Sequence, residues 1–321
     1  MPEKGRDDEH AQRSTGSDPI DFGALTDPSI FLRRIDELKA NPYFYKSARV
    51  YIDRHTRLYN EFPYIVKTQS DEVKFLISLK MMSTLLRSSV DEERTLKAFF
   101  EFARFHNLST KGRVASTLAI FVFGNYLSVS VSERDKRMKI YAPRPNFFQL
   151  VKAMFDNSAA SLQTLDIQCF KDLSHYPPQL AGEFFASLVD VIIAIKRILP
   201  ANEALSYFLK RDGGFEILMR IIQSSKILSD QPIKSFSLPF NELAESLNVS
   251  RSHVQKIFAA TEAFGLTSLQ EKGGKLIEIT PNFRCLAIES LSRVLATQTL
   301  AHDHMVSRLT QRGGLINMTP Y

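Results

Sequence analysis

Two stretches of the chain repeat each other at a separation of 141 residues. Glu101 to Gly124 and Glu242 to Gly265 align without a gap, and seven of their 24 columns are identical. Chance matching at average residue usage would give about one or two identities. Both stretches continue through a charged loop into the tripeptide Pro-Asn-Phe, which begins at Pro145 and at Pro281. We therefore expect one structural unit to occur twice in this chain.

The composition favours a mainly α-helical protein with two domains. Gly (13) and Pro (14) are few among 321 residues, and apolar residues recur at three- and four-residue spacing over long stretches. The 44% of hydrophobic residues are enough for one large core or two ordinary ones. Trp is absent while Phe occurs 24 times, so Phe is expected to fill the cores.

Several classes of protein are disfavoured by the same composition. The two cysteines, Cys169 and Cys285, are too far apart for a zinc motif or a disulfide framework, which fits a reducing cytoplasm. The charged N-terminus lacks the apolar segment of a secretory signal. The most apolar stretch, Glu183 to Leu199, contains four charged residues, so a buried or dimer-forming helix is expected there instead of a membrane span.

The second copy of the repeat has the pattern of a helix-turn-helix followed by a hairpin. A short helix over Pro239 to Leu247 meets a turn at Asn248, and Ser250 is placed to cap the next helix, which extends to Phe264. Two alternating segments then flank the glycine turn at Lys272 to Lys275, which is typical of a β-hairpin. Helix, turn, helix and basic hairpin is the order of a winged helix-turn-helix.

Residues Gly213 to Phe283 resemble the MarR-like winged-helix regulators, whose recognition helix tends to read Ser-x-x-x-Val and whose wing follows Gly-Leu. The resemblance implies that the second helix enters the major groove of DNA while the hairpin lies near phosphates or the minor groove. The implied DNA contacts are Arg251, Ser252, His253, Gln255 and Lys256 on the helix, with Lys272 and Lys275 on the hairpin. For His253, a role at the helix cap is an equal alternative to contact with a base edge.

The first copy departs further from that pattern. A helix over Asp91 to His106 is expected to precede the turn, and a helix from Thr110 to Phe123 to follow it. The corresponding DNA contacts are Thr110, Lys111, Arg113, Ser116 and Thr117 on the helix, with Arg134, Lys136 and Arg137 on the hairpin. Residues Leu118 to Phe123 are apolar almost all round, so one face is expected to meet another subunit or the other domain.

Charge distinguishes the two copies. Residues Glu101 to Phe148 carry eight basic and three acidic residues, a net charge of +5, whereas Phe240 to Arg284 carry five of each. Since DNA affinity grows with the number of cations that contact phosphates, the first copy is expected to contribute more of it.

These patterns predict a mainly α fold with two winged helix-turn-helix modules, each of three helices plus a hairpin wing, joined and flanked by helices. The long helix over Phe283 to Leu309 could serve as a dimerisation arm or lie on the same core. The predicted segments are a disordered tail (1–27), N-terminal helices (28–68), winged-helix domain 1 (69–148), a helical connector (149–212), winged-helix domain 2 (213–284) and a C-terminal helix (285–321).

The predicted function is that of a cytoplasmic, bacterial, nucleoid-associated transcriptional regulator that binds double-stranded DNA as a homodimer. We expect no membrane association, no cofactor and no metal. The chain contains no glycine-rich phosphate loop, nucleophile elbow or paired-histidine motif, so it is not expected to be an enzyme. A plasmid or phage replication initiator and a protein-interaction scaffold are the alternatives. The identity of any small-molecule effector is unknown, although the tyrosines between Tyr43 and Tyr59 could line its pocket.

Overall fold

The computed structural model describes residues 27–62, 64–166, 177–229 and 232–311. It confirms a mainly helical fold with two small antiparallel sheets. Apart from Asp27, the predicted disordered tail lies outside the described residues. The helices are α1 (Pro28–Ala40), α2 (Phe44–Glu61), α3 (Ile65–Thr68), α4 (Glu72–Arg87), α5 (Leu96–Phe105), α6 (Lys111–Phe123), α7 (Pro145–Thr164), α8 (Pro178–Ile198), α9 (Glu203–Leu209), α10 (Gly214–Ser225), α11 (Phe240–Leu247), α12 (Arg251–Ala263) and α13 (Pro281–Gln311).

The two sheets contain five short strands. They are β1 (Leu127–Val131), β2 (Lys139–Pro143), β3 (Ser235–Phe236), β4 (Thr267–Glu271) and β5 (Leu276–Ile279). Strands β1 and β2 form a hairpin, while β5 lies between β3 and β4 in the second sheet. Register in the first hairpin pairs Val129 with Tyr141. In the second sheet, Leu269 and Phe236 both pair with Ile277.

The order of elements repeats over nearly the whole described chain. We call α2 to α7 the first half and α8 to α13 the second half. Each half has three helices, a strand or single bridge, two helices joined by a turn, a hairpin and a final long helix. The repetition therefore extends well beyond the 24 columns that the sequence revealed.

The two halves pack into one connected core. Within each half the first helix lies along the last, so that α2 packs on α7 and α8 packs on α13. Between the halves, α8 packs against α4, and α2 packs against α10. Side chains such as Phe147 and Phe283, the aromatic residues of the two Pro-Asn-Phe tripeptides, are fully buried in this core. Each half thus covers apolar surface of the other.

The long C-terminal helix α13 is a core element. Leu291, Leu295 and Leu300 recur at helical spacing and are fully buried, and the helix contacts α1, α7 and α8. Over its described length, packing on the same core is confirmed, while a part in dimerisation stays a prediction.

Among the described helices, only α8 has the length and composition of a membrane span. About two thirds (67%) of its most apolar window is buried by the rest of the protein, as in the core helix of a soluble protein.

The helix predicted over Asp91 to His106 is shorter in the structure. Asp91–Arg94 form a turn of 3-10 helix, and Thr95 is extended and pairs with Ile140 of β2. The Thr95 hydroxyl then accepts a hydrogen bond from the Ala98 amide, which starts α5 at Leu96. Thr95 interrupts the helix because it serves as both strand residue and cap.

The ungapped alignment of the two copies is wrong by one residue after the turn. Asn107 and Asn248 both adopt the left-handed conformation and are 141 residues apart. The residues that cap the following helices, Thr110 and Ser250, are only 140 residues apart. The turn of the first half therefore contains one additional residue.

The shifted register continues to the end of these helices. The left-handed position of Gly265 is occupied in the first half by Asn125, which also has a positive φ of 60°. Consequently the identical pair Gly124 and Gly265 does not occupy equivalent positions. The equivalence returns at the Pro-Asn-Phe tripeptides, because Pro145 and Pro281 are the first residues of α7 and α13.

Candidate nucleic-acid interface

The turn between α11 and α12 has the geometry that the sequence predicted. Asn248 adopts a left-handed conformation with φ 51°, and the Val249 amide donates to the Ala244 carbonyl at 3.0 Å. The Ser250 hydroxyl accepts from the His253 amide at 3.1 Å and caps α12. Val254 and Phe258 fix one face of α12 in the core, so its opposite face is left to solvent.

The solvent face of α12 carries four of the five predicted helix contacts, namely Arg251, Ser252, Gln255 and Lys256, all of which are exposed. The Arg251 guanidinium lies beside the hairpin tip, since a Cβ atom added to Gly273 would be 3.6 Å from its Nη2 atom. Lys272 and Lys275 flank that glycine and are also exposed. The fold thus brings three predicted cations to one corner of the second half.

Backbone contacts hold this hairpin tip in place. The Leu238 amide donates to the Gly274 carbonyl at 2.8 Å. Gly274 has a φ of +78°, and an added Cβ atom would come 2.2 Å from the Leu238 carbonyl oxygen. The tip is therefore anchored to the segment that precedes α11, which fixes the direction of its lysines.

His253 differs from the other predicted contacts on α12. Its side chain is half-buried, and Nε2 lies 2.7 Å from the Asp212 carbonyl oxygen. One ring nitrogen is thus occupied within the protein, at the start of α12. The structure favours the structural alternative for this residue over contact with a base edge.

In the first half, α6 presents most of the predicted residues to solvent. Thr110, Lys111, Arg113 and Ser116 are exposed. Thr110 also caps the helix, because its hydroxyl accepts from the Arg113 amide at 3.4 Å. The Ser116 hydroxyl donates to the Arg113 carbonyl at 2.9 Å, so it is partly engaged by the helix itself.

The prediction that Thr117 is exposed is wrong. Thr117 is fully buried, and its hydroxyl donates to the Arg113 carbonyl at 3.0 Å. At about 100° per residue, position 117 lies on the same face as the buried Val114 and Phe121. It corresponds to the buried Ile257 of the second half once the register shift is applied.

Arg113 is held by a carboxylate of its own half. Its Nη2 atom lies 2.7 Å from Oδ2 of Asp71, whose side chain is only 4% exposed. Asp71 also caps α4 by accepting from the amides of Val73 and Lys74. The guanidinium is 41% exposed, so it can still face a ligand, but its charge is largely compensated.

The hairpin of the first half presents free positive charge. Arg134, Lys136 and Arg137 are exposed at its tip, and they form no ion pair with any described residue. Two hydrogen bonds from backbone amides to side chains order the tip. The Arg134 amide donates to the Ser132 hydroxyl, and the Arg137 amide donates to the Asp135 carboxylate. The three cations therefore extend from a defined turn.

Three further cations surround α6 that were not among the predicted DNA contacts. Arg104, Lys139 and Arg144 are exposed, and Arg104 lines a cleft with Thr110 and Arg113 at the start of α6. Arg144 donates a hydrogen bond to Asn125, a neutral partner. The signal that could have identified them was the net charge of +5 over this segment, which already included all three.

A polar junction joins the starts of α4 and α10. The Gly213 amide donates to the Ser70 carbonyl at 2.6 Å. The Asp212 carboxylate accepts from Ser70 at 2.8 Å and from Lys74 at 2.9 Å. Burial opposes ionisation of Asp212, but the hydrogen bonds from Lys74 and Ser70 outweigh it and hold its pKa below the ordinary value.

The same junction positions both exposed helices. Arg113 and His253 are the third residues of α6 and α12, and they reach back to Asp71 and Asp212 at the starts of α4 and α10. Because α4 and α10 meet at this junction, the two helices are linked through two short chains of contacts. Sequence reasoning missed the junction because its members are distant along the chain.

The apolar segment Leu118 to Phe123 is mostly covered by its own chain. Leu118 and Phe121 are fully buried, and α6 packs against α3 and α4. Phe123, which is 79% exposed, packs edge to face on Tyr64. Only this aromatic pair remains as an exposed apolar surface at the end of α6.

Comparison with protein-family models, with curated proteins and with solved structures found no match for this chain.

Proposed function

We propose that this protein is a transcriptional regulator that binds double-stranded DNA through two winged-helix units in tandem. The support is the order of elements in each half: a helix, a strand or bridge, two helices joined by a turn, and a hairpin whose second strand pairs with that first strand. Helices α6 and α12 would enter the major groove, and the two hairpins would contact phosphates.

The observation that carries this proposal is the free positive charge around α6. Several exposed cations of the first half have no carboxylate partner among the described residues: Arg104, Lys111, Arg134, Lys136, Arg137 and Lys139. A surface that holds unpaired cations at the start of a helix and at an ordered hairpin tip suits a polyanion. Phosphate contact accounts for such an arrangement without requiring any catalytic group.

The second half would contribute more to the recognition of base sequence than to the affinity for DNA. Its exposed residues include Gln255, which can form two hydrogen bonds to adenine, and Arg251, which can do so to guanine. Acidic residues such as Glu242, Glu262 and Glu271 lie in the same segment and lower its attraction for phosphates. We propose that a cytoplasmic homodimer presents both kinds of unit to DNA.

A matched pair of triple variants tests the proposal. Arg134→Ala, Lys136→Ala and Arg137→Ala together should weaken binding to random duplex DNA at least about tenfold at low salt. The slope of log affinity against log salt should fall by about two to three, because three phosphate contacts are lost. Fluorescence anisotropy of a labelled duplex over a salt series measures both quantities.

The control removes the same charge elsewhere. Lys39→Ala, Lys46→Ala and Arg54→Ala lie on α1 and α2, are exposed, and form no ion pair with a described residue. This control triple should leave the salt slope within about one unit of the original. Equal losses in the two triples would contradict a specific role for the hairpin.

Two measurements distinguish the alternative functions: mapping of bound sites in cells and binding to random duplex. A plasmid or phage replication initiator would also bind DNA, but sites mapped in cells would be repeated sequences at an origin instead of promoters. A protein-interaction scaffold would not bind random duplex at low salt. The exposed pair of Phe123 and Tyr64 is the observation that favours a protein partner, because exposed aromatic residues are enriched at interfaces.

A further inference from the structure

A cavity of about 370 Å³ lies between the two halves. Its walls come from α1, α2, α4, α7, α8, α9, α10 and α13 and are mostly apolar. Typical members are Phe31, Phe75, Leu79, Phe185, Leu188 and Ile192. Its size falls in the range of pockets that bind small molecules, and an apolar wall with few polar groups is their usual character.

Asn157, Tyr51 and Tyr59 are polar residues on this wall whose side chains have no hydrogen-bond partner among the described residues. The Asn157 side chain is 95% buried (5% exposed), and its carboxamide makes no hydrogen bond with a described residue. The hydroxyls of Tyr51 and Tyr59 likewise make none within the described residues. The Asn157 carboxamide oxygen is inaccessible to solvent and accepts no hydrogen bond from a described residue, and because buried polar groups are normally hydrogen-bonded, this oxygen is available to a donor on a ligand.

These groups come from two facing helices. The Ser47 hydroxyl of α2 donates to the Ser161 carbonyl of α7 at 2.7 Å. One helical turn further along each antiparallel helix, Tyr51 comes level with Asn157. Burial raises the pKa of the Tyr51 and Tyr59 hydroxyls above the ordinary value, so both phenols remain neutral donors or acceptors.

We propose that this cavity binds an uncharged, planar, largely apolar molecule with one hydrogen-bond donor, which the Asn157 carboxamide oxygen accepts on the wall that also carries Tyr51 and Tyr59. Most of the wall is apolar, and Lys196 and Arg293 on it are paired with Glu72 at 2.6 Å and with Glu289 at 3.2 Å, so an uncharged ligand is favoured over one whose charge would lose its hydration. The volume limits the ligand to roughly one or two fused rings.

The cavity is also connected to the start of α6. Asp71 lies on its wall and holds the Arg113 guanidinium at 2.7 Å. A ligand that shifts Asp71 would therefore change how Arg113 is presented to DNA. This regulatory part rests on the proposed DNA-binding function, whereas the binding site itself does not.

Indole is a suitable probe because the chain contains no Trp, so fluorescence excited beyond the tyrosine band reports the probe alone. Titration of the full chain should show saturable binding at one site. Indene, which has the same shape without the N–H donor, should compete at least about fivefold more weakly. In a Tyr51→Phe, Asn157→Leu variant this preference should fall below about twofold.

Two alanines provide a matched pair that tests the position of the site. Ala201 lines the cavity, whereas Ala204 does not, and both are half-buried in the same segment. Ala201→Phe should lower the affinity for indole at least about tenfold, and Ala204→Phe should lower it by less than about twofold. Circular dichroism verifies that both variants are folded. If Ala201→Phe is unfolded, the loss of preference for indole over indene in the Tyr51→Phe, Asn157→Leu variant tests the position of the site instead.

Absence of saturable indole binding would overturn the site, as would equal affinities in the two phenylalanine variants. Anisotropy of labelled duplex DNA with saturating indole tests the regulatory part. A change in DNA affinity of threefold or more supports it, and an unchanged affinity overturns the coupling while leaving the site in place. Failure of the chain to bind DNA without indole would count against the proposed function alone.

Discussion

Neighbouring cationic residues at the start of α6 lie in different environments. Lys111 is exposed and forms no ion pair with a described residue, whereas Arg113 forms an ion pair with the buried Asp71. Thr117 lies about one turn beyond Arg113 and packs inward. A pattern of polar residues at the start of a helix therefore contains both solvent-exposed and structurally engaged positions.

Separate alanine variants of Lys111 and Arg113 should distinguish these two environments. Lys111→Ala should change the free energy of unfolding by less than about 0.5 kcal/mol and lower the salt slope of DNA binding by about one. Arg113→Ala should reduce the free energy of unfolding by about 1–3 kcal/mol, because Asp71 keeps a buried charge without its main partner. Urea denaturation and anisotropy measure the two effects.

The assignment of the Arg113 effect can be tested by a double-mutant cycle. Asp71→Asn retains a side-chain oxygen to cap α4 but removes the charge. In the Asp71→Asn background, Arg113→Ala should reduce the free energy of unfolding by less than about half of the reduction that it causes alone. Full additivity of the two changes would show that the ion pair does not contribute.

At the level of elements, the two hairpins are positioned by different contacts. The tip of the second hairpin is anchored to Leu238 through Gly274 and lies beside Arg251. The tip of the first hairpin is ordered by hydrogen bonds from its own turn residues. The second hairpin is thus fixed relative to α12, while the first extends more of its cations into solvent.

Substitution of the two adjacent glycines should measure the anchoring of the second hairpin. Gly273→Ala places a side chain at positive φ in ordinary van der Waals contact with Arg251 and should cost about 1 kcal/mol of folding free energy. Gly274→Ala adds a clash with the Leu238 carbonyl and should cost about 2–4 kcal/mol. Urea denaturation of both variants provides the comparison, and equal costs would argue against a close contact at Gly274.

At the level of the whole molecule, the halves depend on each other for burial. Helix α4 belongs to the first half but packs mainly against α8 of the second, and Leu76, Leu79 and Met82 are fully buried. The predicted boundaries at residues 148 and 284 lie inside α7 and α13. The division into separate domains remains a prediction, and the shared core predicts cooperative folding.

A fragment of residues 69–148 should therefore fail to fold on its own. Without α8 the apolar side of α4 would face water. The remaining helices of the fragment cannot replace the free energy of burial that is lost. We expect little cooperative unfolding in urea for this fragment and a single cooperative transition for residues 27–311. A cooperative transition in the fragment would show that the first unit is an independent domain.

Much of the local structure could be predicted from the sequence because it depends on short-range chemistry. The cap at Ser250, the turn at Asn248 and the glycine hairpin each follow from one or a few adjacent residues. The bounds of α6 were predicted within one residue, whereas α13 begins at Pro281, two residues before the predicted start. The repeat itself was visible in the sequence, but the additional residue in the first turn was not. Identical pairs that are not structurally equivalent, such as Gly124 and Gly265, favoured an alignment without a gap.

The amino-acid sequence by itself determined the helical class, the repeated order of elements and the concentration of basic residues around α6. Only the tertiary structure decided that Thr117 is buried, that Arg113 is held by Asp71 and that α13 is a core helix. It also created the junction at Asp212 and the cavity beside Asn157. The physical reason is distance along the chain: local propensity fixes each element, but the partners of a buried face or charge come from elements tens to hundreds of residues away.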